Sequence, residues 1–553
     1  MAIAQRRIGA LFGLFFLLLA MAAARTLYLG ALRGASLRQD GREQQLQYVQ
    51  VPAQRGAITD RNGVDLAISE PVQDISADPL MLHEPLAAAQ QLAPLLGVPL
   101  DTLLNELSKR TGFVYLARSL SSARAKKILA LKIPGVSASG VMHRVYPRGA
   151  LAAQVLGALG TEGNGLSGLE YSANKLLHGS AGSRRVVNDA LGQPISISTV
   201  HQEIPGATLQ LTLDSDIQQR TEDVLGAVGR VFHPKDATAI VMDPRSGSIL
   251  AMASWPQLNL NDPSSINPET LENRAVSFDY EPGSTFKVVA VSGALQSGLI
   301  NPETSFNVPD QIQVANRVIH DDAEHPEETL TVGQILAQSS NVGEIKIGAL
   351  DGPDRFNEWV HHFGFGARSG TGLPGEELGQ LLKPREYSGS SMGNLPIGQG
   401  ELVTPIQMAS AYAAIANGGV LRPPRIINQI AGKPVPQAPG RRILSSTTAA
   451  QIRQMLRGVL APGGTASEVR VPGYQLAGKT GTASKIDRQT GEYSETAYVA
   501  SFVGFAPASD PKLLCAVIVD EPQYGSIYGG TVAAPAFSQI MSFALPYLGI
   551  TPG

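Results

Sequence analysis

Cysteine is almost absent from this chain: 553 residues include one, Cys515. A single thiol excludes an internal disulfide, and with no Cys/His cluster at ligand spacing the sequence predicts no metal and no cofactor. Cys515 lies in the apolar run Leu513 to Val519 and reads as core, while the pair His361-His362, ahead of Phe363-Gly364, reads as surface. Excess charge is missing too. Lys and Arg number 44 against 47 Asp and Glu, a net −3 that gives no footprint for nucleic acid. Long apolar runs are scarce, and the one uncharged stretch of note is Ile8 to Ala24, 17 residues behind Arg6 and Arg7. Tolerating Arg25 extends it toward Leu32, and about 20 residues suffice to cross a bilayer core. It reads as an uncleaved membrane anchor; Ala22-Ala23-Ala24 offers the alternative of a signal-peptide cleavage site. Arg25, Arg33 and Arg38 follow the run, so charge alone does not orient it.

Three short strings in one order carry the chemistry: Ser284-Thr-Phe-Lys287, Ser339-Ser340-Asn341 and Lys479-Thr480-Gly481-Thr482. A serine hydroxyl is a poor nucleophile at neutral pH and needs a base, a proton relay and donors for an oxyanion. On a helix, residues three apart share a face, so Lys287 can reach the hydroxyl of Ser284, and a second nearby cation would lower its pKa. Glu281-Pro282-Gly283 opens a helix whose apolar body is Val288, Val289, Val291, Ala294 and Leu295, placing Ser284 at a positive dipole end. Ser-x-x-Lys recurs at Ser172 to Lys175, where it reads as a solvated helix face, so order and context carry the signal rather than any one string.

A rival comes from Gly473-Tyr-Gln-Leu-Ala-Gly478-Lys479-Thr480, which fits the phosphate-binding pattern G-x-x-x-x-G-K-[ST]. Such a loop needs a helix directly after its lysine, yet Thr480 onward has no apolar helical stripe and reads as a strand. The next strand, about 498–506, joins Leu513 through six residues, too few for a parallel crossover, which implies an antiparallel meander. Gly163-Asn-Gly-Leu-Ser-Gly168 fits G-x-G-x-x-G but lacks the flanking strand and helix.

On these motifs the chain resembles the class B penicillin-binding proteins, and within them the division-type, FtsI-like peptidoglycan D,D-transpeptidases. The likeness extends to Arg55-Gly-Ala-Ile-Thr-Asp-Arg-Asn-Gly63, Arg144-Val-Tyr-Pro-Arg-Gly149, Gly165-Leu-Ser-Gly-Leu-Glu170, Leu177-His-Gly-Ser-Ala-Gly182, Gly398-Gln-Gly400, Thr404-Pro405, Ala411-Tyr-Ala413, Asn417-Gly-Gly419 and Tyr528 to Pro535. Outside the three catalytic strings these read as loop architecture, with Gly and Pro setting turns and charged residues bracing them.

The resemblance implies that Ser284 attacks the penultimate D-alanine of a stem peptide ending in D-Ala-D-Ala and that Lys287 takes its proton. Ser339 would bridge Lys287 and Lys479, and Asn341 would donate to the substrate amide. Lys479, Thr480 and Thr482, with Gly481 between them, would hold the terminal carboxylate, and the N–H groups of Ser284 and Thr482 would bind the oxyanion. β-Lactams would stall as acyl-enzymes. Expected partners are a SEDS-type glycosyltransferase and other division proteins, at the inner membrane with the catalytic region periplasmic. A carboxypeptidase using water, or an elongation-type enzyme, would use the same residues; the asparagine at 341 leans toward the division type. A β-lactamase would need a Glu-x-x-x-Asn element between Asn341 and Lys479, and Glu376 is the nearest miss.

The fold implied is α+β: a cytoplasmic tail and transmembrane helix over 1–34, an elongated mixed pedestal (dimerisation-type) domain over 35–213, and a transpeptidase domain over 214–553. The pedestal reads as helix-rich from Leu86 to Leu107, with Gly97 as punctuation. Asp214 caps a helix with Ile217, Val224, Leu225 and Val228 on one face, and a hairpin follows over 237–242 and 249–253. With the later meander these strands predict one mostly antiparallel sheet covered by helices on both faces.

Overall fold

The computed structural model describes residues 2–34, 39, 46–188, 194–487 and 490–552. The N-terminal apolar run forms the helix Ala2–Leu27, continued by a wider turn over Tyr28–Leu32. It spans 27 residues from Gln5 to Ala31, and an 18-residue stretch of it has a mean hydropathy of 2.1 with none of that stretch buried. Its length, about 40 Å at 1.5 Å per residue, exceeds the ~30 Å hydrocarbon core. Among the described residues it is the one helix long and apolar enough to cross a membrane.

Two compact units follow the chain with interruptions. One comprises Met1–Gln54, Val72–Met142 and Gly179–Gly206; the other takes Arg55–Pro71, His143–His178 and Ala207–Gly553. Three stretches of the region 35–213 therefore belong to the same unit as residues 214–553, a partition that a linear reading of the sequence does not reveal.

In the first unit, Leu46–Val51, Gly182–Asn188 and Pro194–His201 form a three-stranded antiparallel sheet. Helices Pro85–Leu96 and Leu100–Leu107 are separated by Gly97 in the left-handed region, φ 68°, where glycine carries no Cβ penalty. With helix Ser122–Leu129 they close a small core around Ile75, Leu92, Leu103, Leu107, Leu116 and Ile128.

The second unit is built on a five-stranded sheet in the order Ile249–Trp255, Asp236–Met242, Leu513–Asp520, Tyr493–Ala506, Ala477–Ile486. Every pairing is antiparallel. Each residue of Asp236–Met242 and Leu513–Asp520 is buried, which requires cover on both faces and explains why these strands read as continuous apolar runs rather than alternating ones. Helices Ser215–Phe232 and Gly529–Tyr547 pack on each other and on the sheet, as do Pro405–Ala416 and Ser446–Gly458. Cys515 is fully buried in the third strand. Ala506 pairs with Leu513 across the short link, so the strand holding Lys479 runs on as an edge strand and no helix follows it. The phosphate-loop geometry is thereby excluded.

Asp214 caps the helix Ser215–Phe232 as its sequence predicts, accepting from the N–H groups of Asp216 and Ile217. Asp60 locks the same helix start from outside: one oxygen accepts from Ser215 N–H and Oγ–H, the other from Asn62 and Val64 N–H. Glu170, fully buried, receives Arg55 Nε at 2.6 Å and Arg144 Nε at 2.7 Å. These motif residues are braces, as the loop-architecture reading expects. Because both arginines are also buried, removing the carboxylate strands two cations out of water. Glu170→Ala is expected to lower unfolding free energy by about 3–5 kcal/mol, read as a clear fall in thermal midpoint; an unchanged midpoint would show that the arginines find other partners.

Candidate active site

Ser284 sits in a tight turn of 3-10 helix, Gly283–Phe286, that feeds the α-helix Lys287–Gln296. The sequence predicts a helix here, and its opening is a 3-10 turn, in which residues three apart lie on one side, so Lys287 follows Ser284 by a single tight turn. The helix is buried from Lys287 through Leu295, because it threads the core rather than coating it. A lysine in that position is consequently drawn fully out of water.

The second motif is a hinge between two helices. Val332–Gln338 ends at Ser339, whose φ of 65° is left-handed, and Asn341–His362 starts behind Ser340, whose Oγ accepts from Gly343 N–H at 2.9 Å. A non-glycine residue in that region costs on the order of 1 kcal/mol and is kept only where the surroundings enforce it. Asp321 supplies the enforcement by accepting from Ser340 Oγ–H and from the N–H groups of Asn341 and Val342.

The two lysines meet on this hinge. Lys287 Nζ donates to Ser339 O at 2.6 Å, to Asn341 Oδ1 at 2.7 Å and, at 3.4 Å, to Ser339 Oγ. Lys479, also fully buried, donates from the edge strand to Ser339 Oγ at 2.8 Å and to Thr480 O at 3.2 Å. Burial pushes the Lys287 ammonium down to about 8, with Glu344, Asp322 and Asp321 opposing the fall. Burial, then the charge of Lys287, holds Lys479 well below the ordinary lysine range. The expected direct reach of Lys287 to the Ser284 hydroxyl is not made in this state; its three donors are spent on Ser339 and Asn341.

Gly481 lets the edge strand lie against the serine turn: a Cβ there would fall 2.4 Å from Ser501 Oγ and 3.0 Å from both Pro282 O and Thr285 Cγ2. Thr480 Oγ1 pairs with Thr465 Oγ1 at 2.7 Å, and Thr482 Oγ1 accepts from Gly529 N–H at 3.1 Å, which leaves its own proton free. Ser284, Ser339, Asn341, Thr480 and Thr482 line one cleft of about 580 Å³, with Asp322, Gln399, Glu468, Tyr498 and Tyr528 on its walls. Volume alone does not single it out. A depression of about 650 Å³ lined by Arg61, Arg245, Arg425 and the C-terminal Leu548 to Pro552 belongs to the same unit; it holds a hydroxyl–carboxylate pair, Ser246 with Asp243, but no fully buried lysine lines it. All eight residues of the sequence-based site fall in or directly behind the cleft. Asp321 and Thr465 were not foreseen, because nothing local to their sequence marks a partner far along the chain. Glu344 could have been, as an acidic residue one turn after Asn341 on an apolar helix face.

Adding a methyl at Gly481 must push Ser501 or the serine turn away. Gly481→Ala is expected to retain the fold and to slow acylation by penicillin by about 10²-fold or more, the cost of roughly 1 Å of misplacement; a rate within about twofold of wild type would show that the strand and turn move independently.

The family model described as penicillin binding protein transpeptidase domain matches residues 237–542, and the penicillin-binding protein dimerisation domain matches residues 50–211. The probable peptidoglycan D,D-transpeptidase PenA of Neisseria meningitidis is 34% identical over 535 residues, 96% of this chain and 90% of the relative. The peptidoglycan D,D-transpeptidase FtsI of Escherichia coli is 33% identical over 554 residues, 99% of this chain and 92% of the relative. Among solved structures, penicillin binding protein 3 of Mycobacterium tuberculosis in complex with aztreonam superposes with a TM-score of 0.73 at 31% identity, covering 91% of this chain and 98% of that one. With both domains matched in order and relatives aligned along nearly its full length, the chain belongs to the class B penicillin-binding proteins, the family of the division-type, β-lactam-sensitive D,D-transpeptidases.

Proposed function

We propose that Ser284 is the acyl-accepting nucleophile of peptidoglycan cross-linking, with Lys287 as its base and Ser339 as the relay to Lys479. The observation that carries this reading is the Ser339 hydroxyl held between two fully buried lysines, one of them a single tight turn from Ser284. Ser284 Oγ bonds the carbonyl carbon of the penultimate D-alanine as its proton passes to neutral Lys287. Collapse of the tetrahedral adduct breaks the C–N bond, and the leaving D-alanine amine takes a proton back through Lys287 or the Ser339–Lys479 relay. The amine of a second stem peptide then attacks the ester, restores the Ser284 hydroxyl and forms the cross-link.

The remaining residues fit donor roles. Asn341 gives one amide hydrogen to His320 O at 2.9 Å, leaving the second for a substrate carbonyl. The free proton of Thr482 and the hydroxyl of Thr480 suit a terminal carboxylate, while the buried ammonium of Lys479 supplies positive potential from behind. The N–H groups of Ser284 and Thr482, with Gly481 beside them, suit the oxyanion. A hydrolytic β-lactamase is disfavoured: Glu376 is occupied by Ser369, Gly370 and Thr371 and is not among the residues lining the cleft. We further infer a septal role at the inner membrane, with a SEDS-type glycosyltransferase and other division proteins as partners; the unburied apolar anchor is suited to intramembrane contact.

Intact-mass analysis of the detergent-solubilised chain with a penicillin should show one long-lived adduct that Ser284→Ala loses while keeping its thermal midpoint. An adduct persisting on another residue would remove Ser284 from the role. Lys287→Ala should slow acylation by about 10²–10⁴-fold. Because the base form of Lys287 accumulates as pH rises through about 8, the wild-type acylation rate should climb about tenfold from pH 6 to 7 and level off above about 9. A flat profile over that range would exclude a lysine base.

A further inference from the structure

The helix that presents Asn341 carries Glu344 one turn further on the same face. Glu344 is fully buried, and neither carboxylate oxygen has a hydrogen-bond partner among the described residues. A carboxylate taken out of water without a hydrogen bond is among the costlier features a core can hold, and an apolar side chain of similar volume would stabilise the fold. Neither the hinge nor the helix cap uses it: Asp321 and Ser340 satisfy that helix start. What does act on Glu344 is charge. Lys287 from the serine helix and Lys479 from the edge strand draw it toward ionisation, while burial and Asp351, two turns along its own helix, oppose this. In return Glu344 is the strongest acidic influence on Lys287, ahead of Asp322 and Asp321, and with Asp322 it also acts on Lys479.

We propose that Glu344 is a positioning residue of the transpeptidase site, the buried counter-charge of the Lys287–Lys479 pair, and that it fixes how many protons the pair holds when Ser284 attacks. Two ammonium groups sharing one serine hydroxyl in a dry pocket repel each other, and one must shed its proton for the site to hold a base. A carboxylate behind them moderates that repulsion. The pair then keeps one proton for the relay instead of losing both as pH rises, and the base and the acid of the reaction coexist in one cluster. Burial lowers the proton affinity of Lys287 and raises that of Glu344, while each one's charge opposes the shift of the other, so the two belong to one coupled cluster.

The inference rests on Lys287 being the base, and the test separates the two claims. The full-length chain is assayed with a fluorescent penicillin from pH 5.5 to 9.5, as wild type, Glu344→Gln, Glu344→Met and Lys287→Ala, with thermal midpoints recorded for each. Loss of the counter-charge should let the lysines deprotonate more readily. Both Glu344 variants are therefore expected to shift the acid limb of the acylation profile to lower pH by about half a unit to one unit, with midpoints equal to or above wild type. A limb that stays in place in whichever Glu344 variant holds its midpoint overturns the proposal, since a structural carboxylate would change stability without moving the profile. A shift to higher pH overturns it as well. Wild-type acylation by Lys287→Ala would instead overturn the base assignment, an outcome readable whatever the Glu344 variants do.

Discussion

Desolvation of Lys287 is the constraint on which the rest of the site depends. An ammonium in water is useless as a base at neutral pH, and the base role proposed for Lys287 is supported by its place on a helix that runs through the core instead of over the surface. Once the cation is buried it must be given acceptors, and these come from a hinge between two helices: the carbonyl and hydroxyl of Ser339 and the amide oxygen of Asn341. The left-handed Ser339 follows from that requirement. Ending one helix and starting the next within two residues brings a main-chain carbonyl, a hydroxyl and an amide to one point, which an uninterrupted helix cannot do. Lys479 arrives from a third element, and its proximity depresses its own affinity for a proton further.

The scaffold makes that convergence reproducible by removing side chains where backbones must touch. Gly398 brings its backbone against the serine turn, where a Cβ would fall 2.1 Å from Gly283 O, and Gly529 brings the C-terminal helix against the edge strand in the same way. Edge placement of Ala477–Ile486 leaves one side of that strand without a sheet partner, beside the serine turn. The inner strands Asp236–Met242 and Leu513–Asp520, buried along their whole length, supply apolar burial that offsets a site containing two buried lysines, an unbonded carboxylate and a strained serine.

Local chemistry was legible in the sequence, and long-range partnership was not. Ser284 with Lys287, the asparagine of the hinge and the Lys-Thr-Gly strand are short strings singled out by order and spacing, and the structure brings them to one cleft. The six-residue link from Ala506 to Leu513 was enough to fix an antiparallel pair and reject the phosphate-loop likeness of Gly473 to Thr480, because chain reach is a hard limit. The hairpin and the Asp214 cap were visible for the same reason. Asp321 was not, since its work is done on residues 19 to 21 positions away. Nor was the interleaving of the two compact units. Arg55 and Glu170 are 115 residues apart and meet only because buried charges must pair, a pressure that names the residue types but not the partners.

The same reasoning explains why the site cannot be treated as three independent motifs. Each lysine is set by the other and by the carboxylates around them, so the proton affinity of Lys287 is a property of the cluster and not of Ser-x-x-Lys. A substitution behind the cleft that never touches substrate can then alter rate through charge alone, while one lining the cleft can be silent if it leaves the cluster's charge and the hinge intact. On the proposed mechanism, buried charge near Ser339 is a second physical variable, beside geometry at the serine turn, through which positions in this protein act on the site.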